Sequence, residues 1–247
     1  TNTYKKGLSG TRNQGLDIAA ARNAAYIQLF DDDDIMHPQK LKLQLAPFLI
    51  DDSLEFTTCK YRHYYGDEDL KFELKDEDCN IISQNLFRDF YLKKMGINSL
   101  GPIWKANLIL KFRFDEDLLF TEERDLYLKL FLLEKPKYEN IDFVLFYYRK
   151  HLNSNTKNRY ADNIKKLAFY KSDLNLYNFI KLNNLWDYFL IREMTKKFII
   201  LSFDHNIYKE IISVIDKNIG FKPKLLKLII IIFISLKKNI IRIINKV

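Results

Sequence analysis

Cysteine is nearly absent from this chain of 247 residues. The two present, Cys59 and Cys79, cannot build a disulfide framework or a four-thiolate zinc site, so a reduced, cytoplasmic setting is the default. Glycine and proline are scarce too, at 7 and 5, which excludes collagen-like and low-complexity chains. With 47% hydrophobic and 29% charged residues, the composition is that of a globular protein long enough to bury a sizeable core. No apolar run reaches the roughly 18–20 residues needed to cross a bilayer. The longest candidate, Leu225 to Leu236, is interrupted by Lys227. Thr1 is preceded by no initiator Met and no signal segment, and the chain is expected to begin mid-domain.

Charge of one sign is concentrated at the end. Residues 157–247 hold 18 basic and 7 acidic side chains, a net +11, within a whole-chain balance of +8. Residues 1–156 are therefore slightly acidic, at −3, and would repel a nucleic acid, which makes nucleic-acid binding a distant third reading.

Alanine-rich Gly15 to Ala25 reads as a helix, followed by the apolar strand Tyr26 to Phe30 and then by four consecutive aspartates, Asp31 to Asp34. Pro38 suits the first turn of a second helix carried by Leu41, Leu45, Phe48 and Leu49. Leu54 to Tyr65 and Tyr138 to Tyr148 read as strands, Glu122 to Leu133 as a helix, and Arg149 to Thr156 as a polar loop. From Asn158 the pattern is helical, with boundaries near Asn183, Asn206 and Gly220. The expected architecture is an α/β domain over 1–156, a helical extension over 157–221 and a basic, apolar helix over 222–247.

Adjacent carboxylates repel and resist desolvation, so the aspartate turn calls for a positive partner. Mg²⁺ and Mn²⁺ prefer carboxylate and phosphate oxygens, and the carboxyl end of a strand is where ligands of open α/β sheets gather. A solvated turn capping the next helix is the other reading of the same residues. His37, His63 and His205 have no partners at metal-ligand spacing and read as structural or exposed.

The run GLSGTRNQGLDIAAARNAAYIQLFDDDDIMHPQKLKLQ, Gly7 to Gln44, resembles the family 2 glycosyltransferases with the nucleotide-diphospho-sugar transferase (GT-A) fold. The resemblance rests on Arg12, Asn13, Gly15, Tyr26, Ile27, Asp31, Asp33, Asp34, Pro38, Lys40 and Leu41. FDEDLLFTEERDLYLKL, Phe114 to Leu130, is similar to the segment in which a Glu-Asp pair opens a helix and supplies the catalytic base; here Glu123 stands at the Asp position, a carboxylate one methylene longer. YYRKHLNSNT, Tyr147 to Thr156, is similar to the Tyr-Arg-x-His-x-x-Ser segment that closes many such domains.

The resemblance implies an inverting, metal-dependent hexosyltransferase. It implies Glu123 as base, Arg12, Asn13, Asp31, Asp32 and Asp33 at the donor, and Mn²⁺ or Mg²⁺ on Asp31, Asp33 and His151. The implied partners are a nucleotide-diphosphate sugar, UDP-sugar foremost, and a glycan or lipid-linked acceptor, as in bacterial cell-surface polysaccharide synthesis. Trp104 and Glu122 are the acceptor-side candidates. An aromatic in an apolar segment is ordinarily core, and acidic residues opening a helix ordinarily serve its dipole. His151 on a polar loop and Arg12 as a surface cation are the corresponding plain readings. The opening units that grip the nucleoside in this fold have no counterpart before Gly7, so residues 1–247 alone are expected to bind nucleotide sugar poorly.

Lys222 to Val247 combines a dense Ile/Leu run with seven cations, a composition suited to the cytoplasmic face of a membrane or, alternatively, to docking on the helical extension. The competing function for the whole chain is a non-catalytic, degenerate transferase-like module for carbohydrate assembly or membrane docking.

Overall fold

The computed structural model describes residues 3–65, 70–74, 82–118, 120–150, 163–201, 205–217, 225–228 and 230–231. Cys79, His151, the polar loop that holds it and nearly all of the basic tail lie outside the described residues. The chain forms two compact units, Thr1–Leu176 and Tyr177–Val247. Among the described residues no helix is long and apolar enough to cross a membrane.

The first unit is a mixed α/β structure. Its strands are β1 (Tyr26–Gln28), β2 (Ile35–Met36), β3 (Phe56–Tyr64), β4 (Ile103–Lys105) and β5 (Tyr138–Arg149), in the order β1-β4-β3-β5-β2. β3 and β5 run parallel in the centre, with Phe56 opposite Tyr138 and Tyr64 opposite Arg149; the other neighbours are antiparallel. β1 and β2 are therefore opposite edges of one sheet, joined by six residues. Four inter-strand gaps amount to about 19 Å. The seven Cα steps from Gln28 to Ile35 reach about 23–25 Å when fully extended. Part of that reach is taken up by a turn, in which the Asp34 N–H donates to the Asp31 carbonyl at 3.4 Å. The sheet must curl to bring its edges together, and the register shifts at Cys59/Lys60 and Lys60/Tyr61 supply local twist. The linking chain is held down by Phe30, whose ring meets that of Phe146 edge-on at 6.4 Å.

The helices of this unit are α1 (Leu8–Ala21), α2 (Lys40–Ile50), α3 (Leu86–Tyr91), α4 (Ala106–Ile109) and α5 (Glu122–Glu134). α1 begins seven residues before the Gly15 expected from alanine content. Gly7 takes φ 144, and a Cβ at Gly10 would lie 2.0 Å from the Lys5 carbonyl oxygen, so the glycine segment forms the first helical turn under a close backbone crossing. The helix stops at Ala21, with Asn23 left-handed at φ 51.

α5 matches its expected span and buries Leu126, Tyr127, Leu130 and Phe131. These meet an aromatic core in which Phe56 lies 4.5 Å from Trp104 and 5.0 Å from Tyr138, ring centroid to centroid. Lys40, buried at the start of α2, donates to the carbonyl of Gly101 at 3.0 Å and to the side chain of Gln44, and lies 3.4 Å from Cys59 Sγ. With no carboxylate there, burial lowers its pKa. A Cβ at Gly101 would approach Thr58 Oγ1 to 3.0 Å, so this crossing also favours glycine.

Helix α6 (Asn163–Leu182) runs on into the second unit. There, α7 (Tyr188–Met194) continues as π-helical turns over Thr195–Leu201, and α8 (His205–Lys217) buries Ile207, Ile211 and Ile215 at four-residue spacing. Tyr177 anchors this unit between Trp186 at 5.8 Å and Phe198 at 5.6 Å.

Candidate active site

Two acidic segments about ninety residues apart meet on one cation. Arg12, on the inward face of α1, is only 7% exposed. Its Nη1 donates to Glu123 Oε1 at 2.8 Å and lies 3.4 Å from Glu122 Oε1, while Nη2 reaches Asp31 Oδ1 at 3.3 Å. The guanidinium also lies over the Phe114 ring, 5.5 Å from its centroid. Arg12 is thus not a surface cation; its Nη1 and Nη2 are directed at the carboxylates of the strand-end turn and of the α5 N-terminus.

Asn13 is buried as well. Its Nδ2 donates to the Phe114 carbonyl at 3.0 Å and to Glu116 at 2.8 Å, and its Oδ1 accepts the Phe114 N–H at 2.9 Å. Buried and used at both ends of its amide, it clamps α1 to the segment before α5. Trp104, expected on the acceptor side, is 0% exposed, packed between Phe56 and Tyr127. It belongs to the core, the ordinary place for an aromatic in an apolar segment.

The glutamates differ in environment. Thr121, just before them, is left-handed at φ 69, an uncommon conformation for a β-branched residue, and its hydroxyl lies 3.4 Å from the Ala168 carbonyl. Glu122 turns inward and is buried. Burial, reinforced by the neighbouring Glu123 charge, pushes its carboxyl up to about 8. Glu123 is 29% exposed; burial pulls it upward too, but the Arg12 guanidinium outweighs this and holds it below the usual carboxylate range. The two carboxyls titrate as a pair, burial favouring the protonated form of Glu122 and Arg12 favouring the ionised form of Glu123.

Glu123 and Asp31 line the same cavity of about 530 Å³, together with Tyr61, Tyr148, Phe90, Phe169 and the 93–100 segment; Glu122 is not part of this lining. The aromatics and the Lys93–Leu100 wall carried no advance signal. Tyr61 and Tyr148 face the cavity because β3 and β5 alternate their side chains, with Tyr61 stacked on Phe146 at 5.1 Å.

The acidic turn is the more open part of the site. Asp32 and Asp33 are exposed, and Asp31 is one-third exposed. Burial, with the charges of Asp33 and Asp31, raises the Asp34 carboxyl to about 6 although its Oδ1 accepts the Arg149 N–H at 2.7 Å. Asp34 Oδ2 is buried with no hydrogen-bond partner among the described residues. Among those residues no group of three or more His, Cys, Asp or Glu is arranged to hold a metal by itself. One or two carboxylates completed by diphosphate oxygens form a common Mg²⁺ set, and the residues present fit that pattern.

The sequence model of Glycosyl transferase family 2 matches residues 1–119. Over that stretch, just under half of its length, the chain is similar to glycosyltransferase family 2. The curled mixed α/β sheet is consistent with a GT-A type glycosyltransferase domain. The chain is also similar to a protein of Escherichia coli, the UDP-Glc:alpha-D-GlcNAc-diphosphoundecaprenol beta-1,3-glucosyltransferase WfgD. The two are 26% identical over 164 residues, 66% of this chain and 59% of the relative, so the match spans well under two-thirds of that protein.

Proposed function

We propose that this glycosyltransferase moves a hexose from a UDP-sugar to a lipid-linked acceptor, with inversion at the anomeric carbon and with a divalent cation. The observation that carries the reading is the presence of Glu123 and Asp31 in the lining of one cavity, joined through Arg12. Glu123, ionised and fixed by Arg12, accepts the proton of the acceptor hydroxyl as that oxygen bonds to the anomeric carbon and the bond to the diphosphate breaks. Glu122, neutral and buried behind it, keeps a second negative charge away from the base. Asp33 and Asp31 hold the cation, with Asp32 and His151 as further donor-side contacts; when bound, the cation stabilises the charge that develops on the leaving diphosphate. The test is to incubate the protein and Mn²⁺ with UDP-glucose and an alkyl-diphosphate-linked GlcNAc. UDP release coupled to acceptor, and its loss in excess chelator, are expected. Release unaffected by chelator would remove the metal from the scheme.

The acceptor named for the E. coli relative is alpha-D-GlcNAc-diphosphoundecaprenol, which supports a membrane surface as the place of action. Residues 222–247 supply the attachment in this reading, as a cytoplasmic-face interfacial helix. Flotation with anionic liposomes is expected to fall sharply when this segment is deleted and partly in high salt, where the attraction is screened. Equal flotation with neutral and anionic lipid would remove the electrostatic part of the proposal.

A further inference from the structure

The cavity that holds Glu123 is bipolar. Its lining includes Asp31 and Glu123, and also Lys93 and Lys94, on the turn that follows α3, and Arg124. The three cations are not equivalent. Arg124 is already neutralised, donating to Asp173 at 3.0 Å and to Ser172 at 3.0 Å. Lys94 is exposed and shares Asp89 at 3.5 Å, a loose surface pair worth little. Lys93 has no carboxylate within reach among the described residues; its ammonium lies 5.2 Å from the centre of the Phe169 ring.

Lys93 and the catalytic end of α5 are close in the fold. The residue before Phe169, Ala168, contacts Thr121, two residues ahead of Glu123. An aromatic face holds a cation in place without neutralising it, which leaves the charge available to an anion. Beyond the lysines, Gly96 is open, with nothing within 4 Å of where a Cβ would stand, so a bulky ligand can lie along this wall.

We propose that Lys93 and Lys94 bind the acceptor's phosphates, so that the enzyme selects a glycosyl-diphospho-lipid over a free or neutral glycan. This rests on the transferase reading above. The donor diphosphate is assigned to the acidic turn with a cation, which leaves the lysine wall to the second substrate. A doubly charged acceptor entering a cavity that already holds two carboxylates needs counter-charge away from them. The sugar then occupies the space between, its hydroxyl at Glu123 and its ring against the aromatic walls, and a volume of about 530 Å³ is in the range that takes such a ligand.

Three acceptors with the same GlcNAc and the same alkyl chain, joined by a diphosphate, a monophosphate or a plain glycosidic bond, provide the test. Wild-type kcat/KM is expected to fall in that order. In Lys93→Ala/Lys94→Ala the preference for the diphosphate over the neutral glycoside should shrink about ten- to hundredfold, mainly through KM, with binding of UDP and Mn²⁺ by calorimetry unchanged. Lys93→Gln/Lys94→Gln, which keeps the side-chain bulk, should behave likewise. A preference that survives in both variants, or a wild type that uses the neutral glycoside as well as the diphosphate, overturns this assignment alone. A wild type that glycosylates none of the three overturns the transferase reading with it.

Discussion

Replacing Glu123 by Gln is expected to lower transfer by about two to four orders of magnitude while leaving UDP and Mn²⁺ binding intact. Gln keeps the volume and can still meet Arg12, but it cannot take up a proton, so the loss should appear in kcat. The neighbouring change is the control. Burial favours the protonated form of Glu122, and Gln reproduces that neutral form closely, so Glu122→Gln should cost less than about tenfold. A silent Glu123→Gln with a damaging Glu122→Gln would shift the base by one residue.

The Glu122 substitution also has a stability signature. Its folded pKa lies above the unfolded carboxyl value, so the folded state holds a proton that the unfolded chain releases. Stability from this group is complete below the unfolded pKa and is lost as pH rises toward about 8. Urea unfolding of Glu122→Gln followed from pH 5 to 8.5 should show a flatter profile than the wild type.

Asp33→Ala is expected to reduce transfer by about three orders of magnitude or more, with the fold intact. Asp33 is exposed, and its contact with the Tyr64 hydroxyl at 3.3 Å uses the backbone carbonyl, which the substitution retains. The variant should keep the wild-type melting temperature without ligand but lose the stabilisation that Mn²⁺ and UDP together give the wild type. Full activity in Asp33→Ala would take the acidic turn out of the reaction.

What could be read in advance divides along physical lines. The long periodic segments were legible: α5, β5 and β3 lie within a residue or two of their expected limits, because each buries a continuous face. The acidic turn was legible because four adjacent carboxylates have few structural uses. β4 was not, since three residues carry no periodicity, and with it went the placement of Trp104 in the core. The partners of Arg12 and Asn13 were also hidden. Both residues stand where the family pattern puts them, but apart from the Arg12 contact with Asp31 their partners lie 101 to 111 residues away on α5 and the segment before it. Lys93 and Lys94 gave no signal of their own, because two lysines in a charged sequence become a site only when the fold turns them toward a cavity that also contains a base.

In the proposed mechanism one carboxylate, Glu123, assists a direct displacement without an enzyme nucleophile. The anomeric configuration of the product tests it most directly. Transfer from the α-linked UDP-glucose to alkyl-diphosphate-linked GlcNAc, followed by NMR of the isolated disaccharide, should show a β linkage throughout the time course. An α-linked product would mean retention and would contradict a single-base mechanism at this cavity.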